Sequence, residues 1–211
     1  MFIHRRSVLP ALLLAGAAFT AHAQTPIADT ESSAPAAGAA LQGQALLDAL
    51  RGGGYVVYFR HTATDFSRGD SAMKSYTDCD NQRLLSPQGK SDATAIGQRI
   101  RALKLPVGEA LASPYCRTMD HARLMLTTVT PRNEIREAQG NNYAGLKQLL
   151  ASPVKAGTNR WIVGHGIPFR AVAGPPHLAE GEAVVMKPAG TGWTVVARLG
   201  VDDWAALAGA R

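Results

Sequence analysis

Residues 55–60 read Tyr-Val-Val-Tyr-Phe-Arg, five apolar or aromatic side chains in succession that end on a cation, and His61 follows. An apolar run of this length reads as a buried strand. Its surroundings repeat the theme. Residues 44–51 form a short helical stretch stopped by Gly52, Gly53 and Gly54. Ser86-Pro87 offers a capping hydroxyl and a first-turn proline, after which Ile96, Ile100 and Leu103 share one helical face up to Pro106. Residues 109–112 predict a short strand, and Ser113-Pro114 repeats the start signal for a helix to about Leu126. A strand over 134–138, a helix over 142–150 and the apolar strand Trp161-Ile162-Val163 come next. Residues 183–186 and 193–199 pair as a hairpin, and 201–208 close the chain as a helix. Strands and helices that alternate in this way predict a three-layer α/β/α sandwich around a mostly parallel sheet.

The start of the chain is of another kind. His4, Arg5 and Arg6 precede an almost wholly apolar stretch over 8–19, and Ala21-His22-Ala23 supplies a small-x-small cleavage site. Residues 1–23 are therefore expected to be a secretory signal, too short to serve as a stable membrane anchor. Residues 24–40, rich in Ala, Ser, Thr and Pro, are expected to be a flexible linker, and 41–211 a single domain. Without Arg5 and Arg6 the chain keeps 20 basic and 16 acidic side chains. That excess is modest, and no Lys/Arg run argues for nucleic acid.

Both cysteines, Cys79 and Cys116, fall in the predicted domain, and an exported chain meets an oxidising compartment, so a disulfide between them is expected. Neither fits a thiolate phosphatase, because the positions six residues on hold Leu85 and Ala122 and not arginine. No glycine-rich phosphate loop ending in Gly-Lys-Ser/Thr, Gly-x-Ser-x-Gly turn, His-Glu-x-x-His helix or Cys-x-x-Cys pair is present.

Ligands of parallel sheets bind beyond the carboxyl ends of the strands. Three segments converge there: Arg60-His61, residues 113–117, and Gly164-His165. Two arginines and two histidines suit a phosphate group, since guanidinium forks match its oxygens and stay charged. Arg117 is placed in the first turn of a helix, where free amides also attract anions. A neutral imidazole can attack phosphorus and split hydrolysis into two transfers.

Arg60-His61 resembles the Arg-His-Gly signature of the histidine phosphatase superfamily, which includes phosphoglycerate mutases, acid phosphatases and small phosphohistidine or lipopolysaccharide phosphatases. The stretch LASPYCRTMDHA (111–122) is similar to that superfamily's second arginine block, and IVGHG (162–166) to its second histidine block. The blocks occur in the family's order, 57 and 48 residues apart as counted from Arg60 to Arg117 to His165. The resemblance implies a phosphoglycerate mutase-like fold and a phosphomonoesterase in which His61 becomes phosphorylated. Arg60, Arg117 and His165 would bind the phosphoryl oxygens, with no metal or other cofactor. Thr62 departs from the pattern, standing where the family usually has glycine, and a phosphate-binding module without turnover is the alternative. Glu137 is the candidate general acid by its distance after the arginine block, with Glu134, Glu182 and Asp65 as weaker choices. His121 is expected to be a surface or supporting residue and His177 a loop residue. The polar stretch 62–85 is expected to form a small flap over an open pocket. Such a pocket would admit phosphate on a small ester, a phosphoprotein or an envelope glycolipid.

Overall fold

The computed structural model describes residues 40–136 and 142–209. Six strands form one sheet: β1 (Val56–Arg60), β2 (Val107–Ala112), β3 (Thr130–Pro131), β4 (Asn159–Gly164), β5 (Ala183–Pro188) and β6 (Trp193–Leu199). Their spatial order is β3-β2-β4-β1-β5-β6. The first four run parallel, and β5 and β6 add an antiparallel hairpin on the β1 side.

The unbroken apolar run of β1 follows from burial on both faces. Successive side chains of a strand point to opposite sides. Val57 and Phe59 pack into a cluster with Leu46, Ile96, Met125 and Trp204, beneath α1 (Gly43–Gly52), α2 (Pro87–Ala102), α3 (Cys116–Met125) and α6 (Asp203–Gly209). Val56 and Tyr58 pack with Leu146, Leu150 and Phe169, beneath α4 (Ala144–Ala151) and α5 (Gly166–Ala173). The three-layer α/β/α sandwich expected from the sequence is the observed architecture, and β1 is covered above and below, as parallel strands require.

A local signal sets the start of α2. Ser86 Oγ accepts the Gly89 amide at 3.0 Å with Pro87 in the first turn of α2. A Cβ on Gly89 would collide with the Ala63 carbonyl, so this glycine lets the start of α2 press against the chain leaving β1.

Two expectations are corrected. The helix predicted from Ser113-Pro114 begins two residues later, capped by Tyr115 without a side-chain bond. Ser113 is no cap: its Oγ is turned to His165 Nε2 at 2.8 Å, and the first amide of the helix, that of Cys116, is taken by Gln82. The strand predicted over 134–138 is replaced, in its described part, by a 3₁₀ turn at Asn133–Ile135. Pairing with β2 is instead taken up by Thr130–Pro131 and ends there. Pro131 brings no amide for the ladder, and Glu134 is held by Arg132 through a 2.6 Å ion pair.

Candidate active site

β1 and β4 are parallel neighbours in which Arg60 pairs with Gly164. His61 and His165 are the next residues of each strand, so the sheet's own register sets the two imidazoles side by side. Their ring centroids lie 5.6 Å apart with planes at 72°. The backbone of His61 is anchored twice: its amide donates to Gly164 O at 3.0 Å, and its carbonyl accepts the Gly181 amide at 2.9 Å.

Each ring is oriented by a neighbour. His61 Nδ1 lies 2.9 Å from the Thr62 carbonyl. A carbonyl can only accept, so the proton sits on Nδ1 and Nε2 keeps its lone pair. Burial, followed by the positive charges of Arg117, Arg60 and Arg83, pushes His61 down to about 3. His165 is likewise pushed well down, by burial first and then by Arg117 and His61. Both rings are therefore neutral near pH 7. The Tyr58 hydroxyl donates to His165 O and accepts from His165 N, each at 2.9 Å. That pair explains the first glycine of Gly164-His165-Gly166, since a Cβ at 164 would occupy the Tyr58 hydroxyl's place. The second is explained in the same way, because a Cβ at 166 would strike the His177 ring.

Around the imidazoles is a cavity of about 310 Å³, into which Arg60, Arg83, Arg117 and Arg136 all reach. Arg117, the second residue of α3, is 5% exposed. Its Nη1 lies 3.0 Å from Asp70 Oδ1, and its guanidinium lies 4.5 Å from the Tyr115 ring centroid. Arg60 donates to Leu178 O at 2.8 Å and lies 3.5 Å from Glu180 Oε1. The same Glu180 oxygen accepts Thr64 Oγ1 at 2.8 Å and is 3.8 Å from His61 Nδ1. Burial raises the Asp70 carboxyl, but the Arg83 amide and the Arg117 guanidinium outweigh it and hold it below its ordinary value.

Arg60, His61, Arg117 and His165 thus meet at one cavity, as their placement at strand ends implied. The acid candidates fare differently. Glu137 lies outside the described residues. Glu182 is bonded to Arg198 at 2.7 Å and to the Ala179 amide. Asp65 closes an exposed turn with Ser67, and Glu134 is engaged by Arg132. None of these three lines the cavity. The carboxylates that come near it are Asp70 and Glu180, which no local motif singled out. His177 does lie on a loop, and it lines the cavity. His121 is fully buried, pushed down to about 3 by burial and then by His61, and its Nδ1 accepts the Thr62 amide at 3.2 Å. Thr62 turns its hydroxyl to Gly89 O at 2.8 Å, which keeps the departure from glycine out of the cavity lining.

Residues 62–85 form a loop pinched at its base by the Thr64 to Leu85 bridge. Cys79 and Cys116 are disulfide-bonded with Cα atoms 5.7 Å apart, tying this loop to the residue before Arg117. Beside the bridge, the buried Gln82 accepts the Cys116 amide at 2.9 Å. Among the described residues no group of three or more His, Cys, Asp or Glu is placed to hold a metal.

Two neutral imidazoles ringed by guanidinia at the carboxyl edge of a parallel sheet define an α/β protein equipped to hold a tetrahedral oxyanion. The family model described as "Histidine phosphatase superfamily (branch 1)" matches residues 56–165, just over half of the chain, and the protein belongs to that superfamily. Among curated proteins none matches significantly. Two solved structures have the same fold at low identity. The protein histidine phosphatase SixA complexed with tungstate aligns with a TM-score of 0.51 at 15% identity, over 70% of this chain and 97% of SixA. Phosphoserine phosphatase from Entamoeba histolytica in complex with 3-phosphoglyceric acid gives 0.52 at 12% identity, over 71% and 98% of the two chains. Family membership supports a phosphatase.

Proposed function

We propose that the protein is an exported phosphomonoesterase that works through a covalent phosphohistidine on His61 and requires no metal ion. One observation carries the reading: a buried imidazole with its proton committed to Nδ1, beside a second neutral imidazole and Arg117, at one cavity. His61 Nε2 attacks phosphorus while the bond to the leaving oxygen breaks, and that oxygen takes both electrons and a proton. Water then attacks the phosphohistidine, its bond to Nε2 breaks, and inorganic phosphate leaves. Arg60, Arg117 and His165 stabilise the charge on the three equatorial oxygens. Glu180, beside Nδ1, favours the cationic ring that forms on phosphorylation.

Glu137 remains the proposed acid for the leaving oxygen, on its distance along the chain after the second arginine block. The oxyanion in SixA, a tungstate, and the phosphorylated ligand of the Entamoeba enzyme support a phosphorylated substrate here. Export, with 1–23 as signal, 24–40 as linker and 41–211 as the enzyme, is supported by the Cys79 to Cys116 bridge, which suits an oxidising compartment. Among the described residues no helix is long and apolar enough to cross a membrane.

The test is labelling with a ³²P-phosphomonoester followed by acid or base quench. An acid-labile, base-stable phosphoprotein is expected, absent in His61→Ala; labelling that survives the substitution refutes the assignment. Hydrolysis of p-nitrophenyl phosphate separates the enzyme from a module that only binds phosphate.

A further inference from the structure

Of the four guanidinia at the cavity, two are bonded to described residues and two are not. Arg60 is bonded to Leu178 O and paired with Glu180, and Arg117 is paired with Asp70. The side chains of Arg83 and Arg136 make no hydrogen bond and no ion pair with any described residue, although both line the cavity. Arg83 Nε is buried without a partner. Among the described residues each guanidinium rests on an aromatic face: Arg83 at 4.7 Å from the Phe66 ring centroid, and Arg136 at 5.6 Å from that of Tyr115, the ring that also carries Arg117. Both are close enough to His165 to disfavour its protonation.

Among the described residues neither has a carboxylate of its own, since Asp70, the acid nearest Arg83, is bonded to Arg117, and partly buried cations left in that state destabilise a fold unless something repays them. A single phosphoryl group does not, because its three equatorial oxygens are already matched by Arg60, Arg117 and His165. Guanidinia aimed at a cavity with unused donors recognise carboxylate or phosphate oxygens. We infer that Arg83 and Arg136 hold a second anionic group of the substrate, a carboxylate or a second phosphate a few bonds from the phosphoryl group that is cleaved. The inference rests on the phosphoryl reading of the site given above. It makes the favoured substrate a doubly anionic phosphomonoester and not an alkyl or aryl phosphate with a neutral remainder.

The test uses pairs of substrates that differ only in the second charge, with the purified full chain. Ethyl phosphate is compared with phosphoglycolate for the carboxylate, and propyl phosphate with propane-1,3-diol bisphosphate for the second phosphate. At least one doubly anionic member is expected to have a kcat/KM about tenfold or more above its partner, the size of one charge-assisted contact. The arm in which the preference appears names the anion. Arg83→Ala and Arg136→Ala should each shrink that ratio at least severalfold, lowering kcat/KM more for the doubly than for the singly charged substrate. Ratios near one in both arms, or ratios unchanged in both variants, overturn the inference.

The same four compounds are titrated calorimetrically into His61→Ala, which cannot form the phosphohistidine. If the wild-type protein turns over none of them while this variant still binds a doubly anionic member about tenfold more tightly, the phosphatase reading fails and the second-anion site stands. Equal affinities within both pairs sink the site by themselves.

Discussion

The two halves of the cavity are built by different means. On the strand side, His61 and His165 are 2% and 7% exposed, and each is held by bonds that begin and end in the sheet or next to it. On the loop side, Asp70, Arg83 and Phe66 belong to a stretch without regular strands, pinned by one disulfide, the Gln82 amide bonds and the Asp70 to Arg117 pair. Phe66 is 70% exposed there, and Ile167 is 72% exposed across the rim. The groups that would make and break bonds sit where the backbone is hydrogen-bonded to the sheet and its neighbours. Of the two groups that would choose the substrate, Arg83 sits on this tethered loop, which can vary without disturbing the sheet, and Arg136 follows the turn at Asn133–Ile135.

The sharpest way to break the contrast is to remove the nucleophile. His61→Ala should lower kcat by about 10³-fold or more, measured by p-nitrophenyl phosphate turnover, with the fold intact by circular dichroism. Arg117→Ala should cost about 10²-fold, the effect of losing one donor to a developing oxyanion, read as kcat/KM on the same substrate.

Tyr58→Phe tests whether the strand side depends on rigidity. It leaves the buried His165 amide without a partner and the carbonyl with only the long 3.4 Å bond from the Phe169 amide, at a cost of about 2 kcal/mol, to be read from the urea midpoint. Here kcat should fall about tenfold and more than KM rises, because the ring is misplaced and no contact to substrate is lost.

Opening the bridge tests the loop side. Reduction, or a paired Cys79→Ser and Cys116→Ser variant, releases a 37-residue constraint that stabilises by at most about 4 kcal/mol in the chain-entropy account. KM should rise about fivefold with little change in kcat, the reverse of the Tyr58 pattern. A larger effect on kcat than on KM would show that the loop supports the chemistry directly.

On turnover, the smallest effect is expected from pH. With His61 pushed down to about 3, the acidic limb of kcat/KM should lack a histidine ionisation near 6.5, once the substrate's own ionisation near 6 is allowed for. Stability carries the complementary sign. His61, His121 and His165 stay neutral in the folded protein below the pH at which they protonate in the unfolded chain. Unfolding is therefore favoured progressively as pH falls from about 6.5 toward about 3, and no such loss occurs above that window. Urea midpoints across pH 8 to 4 measure it.

How much of this was legible beforehand depended on distance along the chain. The apolar run of β1, the Ser86 cap and the β5 to β6 hairpin are signals read within a few residues, and they stand as expected. Arg60, His61, Arg117 and His165 were legible because each follows its own strand, and strand ends in a parallel sheet share one edge. Ser113 shows the limit of local reading: its sequence context is that of a helix cap, yet a ring 52 residues away claims the hydroxyl. Glu134 was likewise removed from contention by Arg132, once the edge strand ended at Pro131.

The amino-acid order alone therefore determined the layers, the strand ends and the four nitrogen-bearing side chains, because hydrophobic period and capping chemistry act over one or two turns. Only tertiary structure decided that Asp70 faces Arg117 across 47 residues, that Glu180 faces Thr64 across 116, and that Tyr58 grips His165 across 107. Such partners are chosen by which surfaces meet when the sheet closes, and no spacing in the chain encodes that meeting.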